Sequence, residues 1–163
     1  RVPTSMQLVL LEHSMAQSSV GLCREMIVRA VERSCPVVVV CVQRQPQLYP
    51  SGVGVHIIDY HYRSVHDGMS LAQVERSILA AVDKLAQHTQ MTVVLDSLDA
   101  LVESPQCSDR AAYSFVRRVL SFLPRFSRVV LGYDGDPTAS AASLVSSLRC
   151  PQLWVGIQPK HDV

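Results

Sequence analysis

Three short stretches, "PVVVVCV" (36–42), "MTVVLD" (91–96) and "RVVLG" (128–132), constrain this chain more than anything else in it. Each is almost unbroken apolar sequence and rich in valine, whose β-branched side chain favours strands. A strand with one face in water alternates polar and apolar residues. A run without polar breaks needs apolar packing on both faces, as in a parallel sheet covered by helices. The full set of predicted strands is Gln7–Leu11, Val37–Val42, Val55–Asp59, Met91–Asp96, Arg128–Gly132 and Leu153–Ile157.

Between these runs the apolar period changes from two to three and four, the spacing of a helix face. Ser18–Ser34 carries Val20, Cys23, Ile27, Ala30 and Val31 on one face. Ser70–Gln87 does the same with Leu71, Val74, Ile78, Val82 and Leu85, and Ser70 suits an N-cap. Ser108–Leu123 offers Ala112, Phe115, Val116, Val119 and Phe122, and is ended by Pro124. Thr138–Arg149 offers Ala142, Val145 and Leu148. Pro and Gly mark Gln43–Gly54 as a loop. Strands alternating with helices predict one α/β layered domain with right-handed crossovers and a mostly parallel central sheet, spanning 1–163.

Composition narrows the class. With 48% apolar and 18% charged residues the chain is globular, and a formal net charge of +1 argues against a strongly basic nucleic-acid binder while leaving room for a local patch. Of 15 basic residues only Lys84 and Lys160 are lysines. Cys23, Cys35, Cys41, Cys107 and Cys150 include no CxxC pair and read as free thiols in a reducing compartment. No apolar run reaches membrane-spanning length, and no signal peptide is visible. The chain starts at Arg1 and stops soon after a strand-like segment, which reads as a fragment of a longer protein.

The junction after the first strand is the informative one. A phosphate-binding loop there needs glycines that let backbone N–H groups wrap phosphate oxygens, and a lysine that reaches them. Residues 13–21 read "HSMAQSSVG", with one glycine and no lysine. Arg24 lies a turn into the helix and does not rebuild the cradle. The stretch therefore reads as a capped connection, with Ser18 or Ser19 as cap. "VVLDSLDALVE" (93–103) places Asp96 where a strand-end carboxylate organises Mg²⁺ in an ATPase. Such residues also cap loops.

Other constellations are weaker. His56, Asp59, His61, His66 and Asp67 are metal ligands by chemistry, but their spacing matches no closed zinc motif. There is no GxSxG nucleophile elbow, and nothing local supports Cys107 as a nucleophile. No catalytic, cofactor-binding or metal residues are assigned. In "RRVLSFLPRFSR" (117–128), Arg117, Arg118, Arg125 and Arg128 interleave with Phe122 and Phe126, the best RNA-binding candidates in the chain. A solvated helix face accounts for the same pattern.

"LVLLEHS" without a phosphate loop, "VHIIDYHYR", "TVVLDSLDALVESP", "RVVLGYDGDP" and "SLVSSLRCPQLWVG", in this order, resemble the family of the fifth subunit of the Elongator complex. The sixth-subunit family also lacks the loop and is less similar around Asp96-Ser97. The resemblance implies a RecA-like three-layer domain without an intact P-loop, and a non-catalytic role. It implies assembly with the fourth and sixth subunits in a hetero-hexameric ring that joins the catalytic Elongator subcomplex and binds tRNA. It further implies tRNA processing, namely wobble-uridine modification, in cytoplasm and nucleus, with no cofactor and no membrane contact. The competing expectation is an ATPase with a divergent phosphate loop.

Overall fold

The computed structural model describes residues 7–13, 19–61, 69–103 and 107–149. Five strands form one parallel sheet: β1 (Gln7–His13), β2 (Val37–Cys41), β3 (Val55–Asp59), β4 (Thr92–Leu95) and β5 (Arg128–Asp134). Their order across the sheet is β1-β5-β4-β2-β3. β5 is thus inserted between β1 and β4, with Leu10 opposite Leu131 and Leu131 opposite Leu95.

Helix α1 (Ser19–Glu32) joins β1 to β2, α2 (Leu71–Lys84) precedes β4, α3 (Leu98–Val102) and α4 (Asp109–Phe122) lie between β4 and β5, and α5 (Ala142–Leu148) follows β5. The path from β1 to β2 runs one way across the sheet, and those from β3 to β4 and from β4 to β5 run back. With crossovers of one hand, reversing direction puts the connecting helix on the opposite face. Cys23 and Ile27 of α1 accordingly pack on Val9, Leu11, Val39, Val94 and Val130. Val74 and Ile78 of α2 and Phe115 of α4 pack on Val38, Val40, Val93, Leu95 and Leu131. Both faces of β2 are covered, so Val37–Val40 are all 0% exposed, whereas the edge strand β3 is only half-buried. This double burial is the cause of the unbroken apolar runs. Each buried valine contributes on the order of 1.5–3 kcal/mol.

Local signals set the helix ends. Ser108 Oγ accepts from the Ala111 N–H at 3.2 Å to open α4. Leu123, before Pro124, takes an extended backbone (ψ 150°) and stops it. The Gln73 side chain accepts from the Ser70 backbone N–H at 3.4 Å ahead of α2.

Several predicted bounds need correction. α1 ends at Glu32 and α2 at Lys84, short of Ser34 and Gln87. β2 stops at Cys41 rather than Val42, whose N–H donates to the Asp96 side chain, and β4 spans Thr92–Leu95 rather than Met91–Asp96, the Met91 N–H donating to Ser127 Oγ. β1 and β5 run on to His13 and Asp134, since they pair with each other over seven positions. The helix predicted over Thr138–Arg149 spans only Ala142–Leu148. Asp136 accepts from both the backbone N–H and the hydroxyl of Thr138, and holds the preceding residues in a turn. α3 was not predicted. The predicted strand Leu153–Ile157 lies outside the described residues. No described helix is long and apolar enough to cross a membrane.

Candidate functional site

Ligands of open α/β sheets sit beyond the carboxyl ends of the strands, where neighbouring connections leave over opposite faces. Here β1 leaves over the α1 face, and its neighbour β5 lies next to β4, whose connection covers the other face. The candidate site is therefore the edge carrying Glu12 and His13 (β1), Asp96 (after β4) and Asp134 (β5), with Val42–Arg44 after β2. Residues 14–18, the greater part of the loop in question, lie outside the described residues. α1 starts at Ser19, which is buried, and Arg24 is exposed.

Asp96 is 3% exposed. Its Oδ1 accepts from the Val42 N–H at 2.8 Å and the Gln43 N–H at 3.2 Å. Its Oδ2 accepts from the Arg44 N–H at 2.7 Å and again from Gln43 at 3.2 Å. Both carboxylate oxygens are thus spent on the three N–H groups that open the loop after β2. Burial pushes its carboxyl up from the ordinary range, against the pull of the Val42, Arg44 and Gln43 N–H donors and the Arg44 charge.

Three groups on the α1 side of the sheet sense this carboxylate. Burial first, then the Asp96 charge, raises the thiols of Cys23 and Cys41 from 9.0 to about 12, and the Tyr49 hydroxyl is raised for the same two reasons. Thiols so shifted stay protonated and unreactive at neutral pH. Cys107 is also raised, chiefly by burial.

The next carboxylate is a second staple. Asp99, also buried, accepts from the Asp134 N–H at 2.7 Å through Oδ2 and from the Ala141 N–H at 2.9 Å through Oδ1. It ties α3 to the end of β5 and the start of α5. Ser97 Oγ accepts from the Ala100 N–H at 3.1 Å and caps α3. Glu103 accepts from the Ser140 hydroxyl at 3.0 Å. Gly132 completes the junction: a Cβ there would lie 2.4 Å from the Asp96 carbonyl oxygen, so only glycine lets β5 approach β4 this closely.

At the end of β1, Glu12 Oε2 accepts from the Tyr133 hydroxyl at 3.1 Å. The Arg149 guanidinium donates to the Tyr133 hydroxyl, lies 5.7 Å from its ring centre, and stands 3.9 Å from Glu12. A carboxylate–phenol–guanidinium group thus occupies the edge beside the β1 terminus. Among the described residues His13 Nδ1 is buried without a hydrogen-bond partner. Asp99, Glu12, Tyr133 and Arg149 were missed by sequence reasoning. The three-residue step from Asp96 to Asp99 was a usable signal, whereas nothing in the chain joins Glu12 to residues more than a hundred positions away.

Two of the predicted RNA-binding arginines, Arg118 and Arg128, line different clefts. Arg118 donates to both oxygens of Glu75 at 2.9 and 3.0 Å, which holds its guanidinium above its ordinary pKa. It lines a cleft between the starts of α2 and α4. Arg117 is exposed on α4 and Arg125 is exposed in the turn before β5. Arg128 opens β5 and lines a separate cleft of about 210 Å³ with Arg29 and Arg33 of α1. Among the described residues no three His, Cys, Asp or Glu side chains gather into a metal-binding group. His66 and Asp67, from the predicted ligand set, lie outside them.

The fold is shared with a KaiC-like protein of Pyrococcus horikoshii (TM-score 0.58, 13% identity, 89% of this chain and 68% of that one). It is also shared with the flagellar accessory protein FlaH of Methanocaldococcus jannaschii (TM-score 0.59, 14% identity, 90% and 67%). These likenesses establish a RecA-like α/β domain. No curated protein sequence matches the chain. The Elongator subunit Iki1 family, however, matches residues 3–149, across β1 to α5, and the chain belongs to it.

Proposed function

We propose that this chain is the fifth subunit of Elongator and acts without catalysing a reaction itself. It assembles with the fourth and sixth subunits into a hetero-hexameric ring, which joins the catalytic Elongator subcomplex. The ring holds tRNA while wobble uridines are modified, in cytoplasm and nucleus. Family membership supports the Elongator role. The observation that carries the non-catalytic reading is the state of Asp96, whose two oxygens already hold three backbone N–H groups. A carboxylate that organises Mg²⁺ keeps an oxygen open to the ion's water shell. The described part of the loop after β1 also offers no lysine.

Co-expression with the fourth and sixth subunits, followed by native mass measurement, is the direct test. A complex with two copies of each subunit is expected, and its ATP turnover is expected to be unaffected by Asp96→Asn. Failure of the three chains to co-purify overturns the ring. A Mg²⁺-dependent turnover abolished by Asp96→Asn assigns this chain to the ATPases instead.

A further inference from the structure

The two outer strands of the sheet are built differently. β1 forms one edge, and Leu8, Val9, Leu10 and Leu11 on it are 2–4% exposed. β3 forms the other, and its Val55, His56, Ile57 and Ile58 are only half-buried. The ladder fixes where the β3 backbone groups point. The Val37 N–H donates to the Gly54 carbonyl at 2.8 Å, and the Tyr60 N–H donates to the Cys41 carbonyl at 2.9 Å, so the even-numbered residues of this stretch face β2. Alternate residues point the other way. The Val55 carbonyl, the Ile57 N–H and carbonyl and the Asp59 N–H therefore lie along the open edge, and among the described residues no further strand meets them. The Val55 N–H is turned back onto the Gly52 carbonyl at 3.1 Å.

Proteins that keep such an edge unpaired blunt it with proline, lysine or a bulge. "VHIID" (55–59) has neither residue, and its register with β2 runs unbroken. Val53, just before the strand, is 98% exposed. An open row of backbone donors and acceptors is matched by an extended chain. The side chains then select which chain. Val55 and Ile57 pack partly against the α1 layer and leave part of their surface outside. Asp59 follows on the same face and is exposed, and among the described residues no arginine or lysine pairs with it. The matching strand carries aliphatic residues opposite Val55 and Ile57 and a basic residue opposite Asp59. A second copy of β3 does not supply this. In two-fold, antiparallel pairs centred on His56, Ile57 or Ile58, Asp59 falls opposite Val53, Val55 or Ile57. Centred on Asp59, it falls opposite itself.

We propose that the β3 edge takes a sixth strand from a neighbouring chain, an extended segment with aliphatic residues opposite Val55 and Ile57 and a lysine or arginine opposite Asp59. That the donor is another member of the ring rests on the function proposed above. The added strand pairs with the outward groups of Val55, Ile57 and Asp59 and runs beside Val53.

The test uses the assembly formed with the co-expressed partners. Hydrogen exchange read at single residues by mass spectrometry should show the Ile57 N–H slowed by about a hundred-fold or more, as in a paired strand. Fast exchange there in an intact assembly overturns the added strand and leaves the ring standing. p-Benzoylphenylalanine in place of Val53 should cross-link, on illumination, to a partner segment that carries a lysine or arginine. A cross-link to a second copy of this chain, or none, overturns the proposed donor. Ile57→Pro removes the outward N–H and spares the bonds to β2. It should leave the far-UV circular dichroism of the chain unchanged and cut the co-purified partner by about ten-fold or more, whereas Ile57→Val retains it. Asp59→Lys should lower the yield of partner and Asp59→Glu should not. If Ile57→Pro does not fold, the exchange and cross-linking results decide. Full retention of the partner by a folded Ile57→Pro chain overturns the proposal. Failure of the wild-type chains to co-purify overturns both this proposal and the ring.

Discussion

Replacing Asp96 by Ala removes the acceptor of three backbone N–H groups at once. The bond from the Val42 N–H is buried, so losing its carboxylate partner costs about 1–3 kcal/mol. The Gln43 and Arg44 N–H groups are only part-buried. Water reaches them in the variant, and each loses about 0.5–1.5 kcal/mol. Removing a carboxylate that burial disfavours returns part of this. The net expectation is a loss of about 2–4 kcal/mol. Asp96→Asn keeps one acceptor and turns an NH₂ toward the remaining donors, for a loss of about 1–3 kcal/mol. This is more than the roughly 1 kcal/mol of simple loop capping. The assay is urea unfolding followed by far-UV circular dichroism. With a slope of about 2 kcal/mol per molar urea, the alanine midpoint falls by about 1–2 M and that of asparagine by less. The wild-type midpoint should not move on adding Mg²⁺ and ATP, because binding to the native state alone would raise it. Equal midpoints for wild type and Asp96→Ala would refute the stapling argument. A Mg²⁺-dependent rise in wild type that Asp96→Asn abolishes would refute the reading of this carboxylate as purely structural.

Gly132→Ala places a Cβ 2.4 Å from backbone and should destabilise by roughly 2–4 kcal/mol or prevent soluble expression; a melting temperature within 2 °C of wild type, roughly 1 kcal/mol or less, would show that β5 can draw back from β4. The Cys23 and Cys41 thiols, raised from 9.0 to about 12, bind protons more tightly folded than unfolded. Their contribution is therefore fully present below about pH 9 and is lost as pH rises through 9 to 12, where the unfolded chain ionises first; Cys23→Ala with Cys41→Ala should blunt this alkaline fall in urea midpoint. Both thiols should also resist a thiol-specific chromogenic reagent until denaturant is added, and fast native labelling of either would contradict their burial. The Glu75–Arg118 pair is half exposed, so a double-mutant cycle should give a coupling below about 1 kcal/mol, and a larger value would mean that this pair clamps α2 to α4.

What could be read in the chain is what local spacing encodes. Unbroken valine runs identified β2 and β4 because a strand buried on both faces has few positions that tolerate a polar residue. The three- and four-residue spacing identified α1, α2 and α4, because one helix face repeats at that interval. The missing lysine and glycines after β1 were equally plain. The same logic failed at α5, where Asp136 bonds the local backbone and delays the helix beyond Thr138. Strand order was not legible. Any of these apolar strands could neighbour any other by composition, and only the packed crossovers insert β5 between β1 and β4. That order brings Asp96 against N–H groups more than fifty positions earlier, and Glu12 against Tyr133 more than a hundred later. It also sends Arg118 and Arg128, ten positions apart, to different clefts. Their sequence proximity spans a helix end and a turn, so one guanidinium meets Glu75 of α2 while another meets the α1 face. Charge along a chain is a local property, but which surface a charge serves depends on which face of the sheet its element covers, and only the tertiary structure decides that.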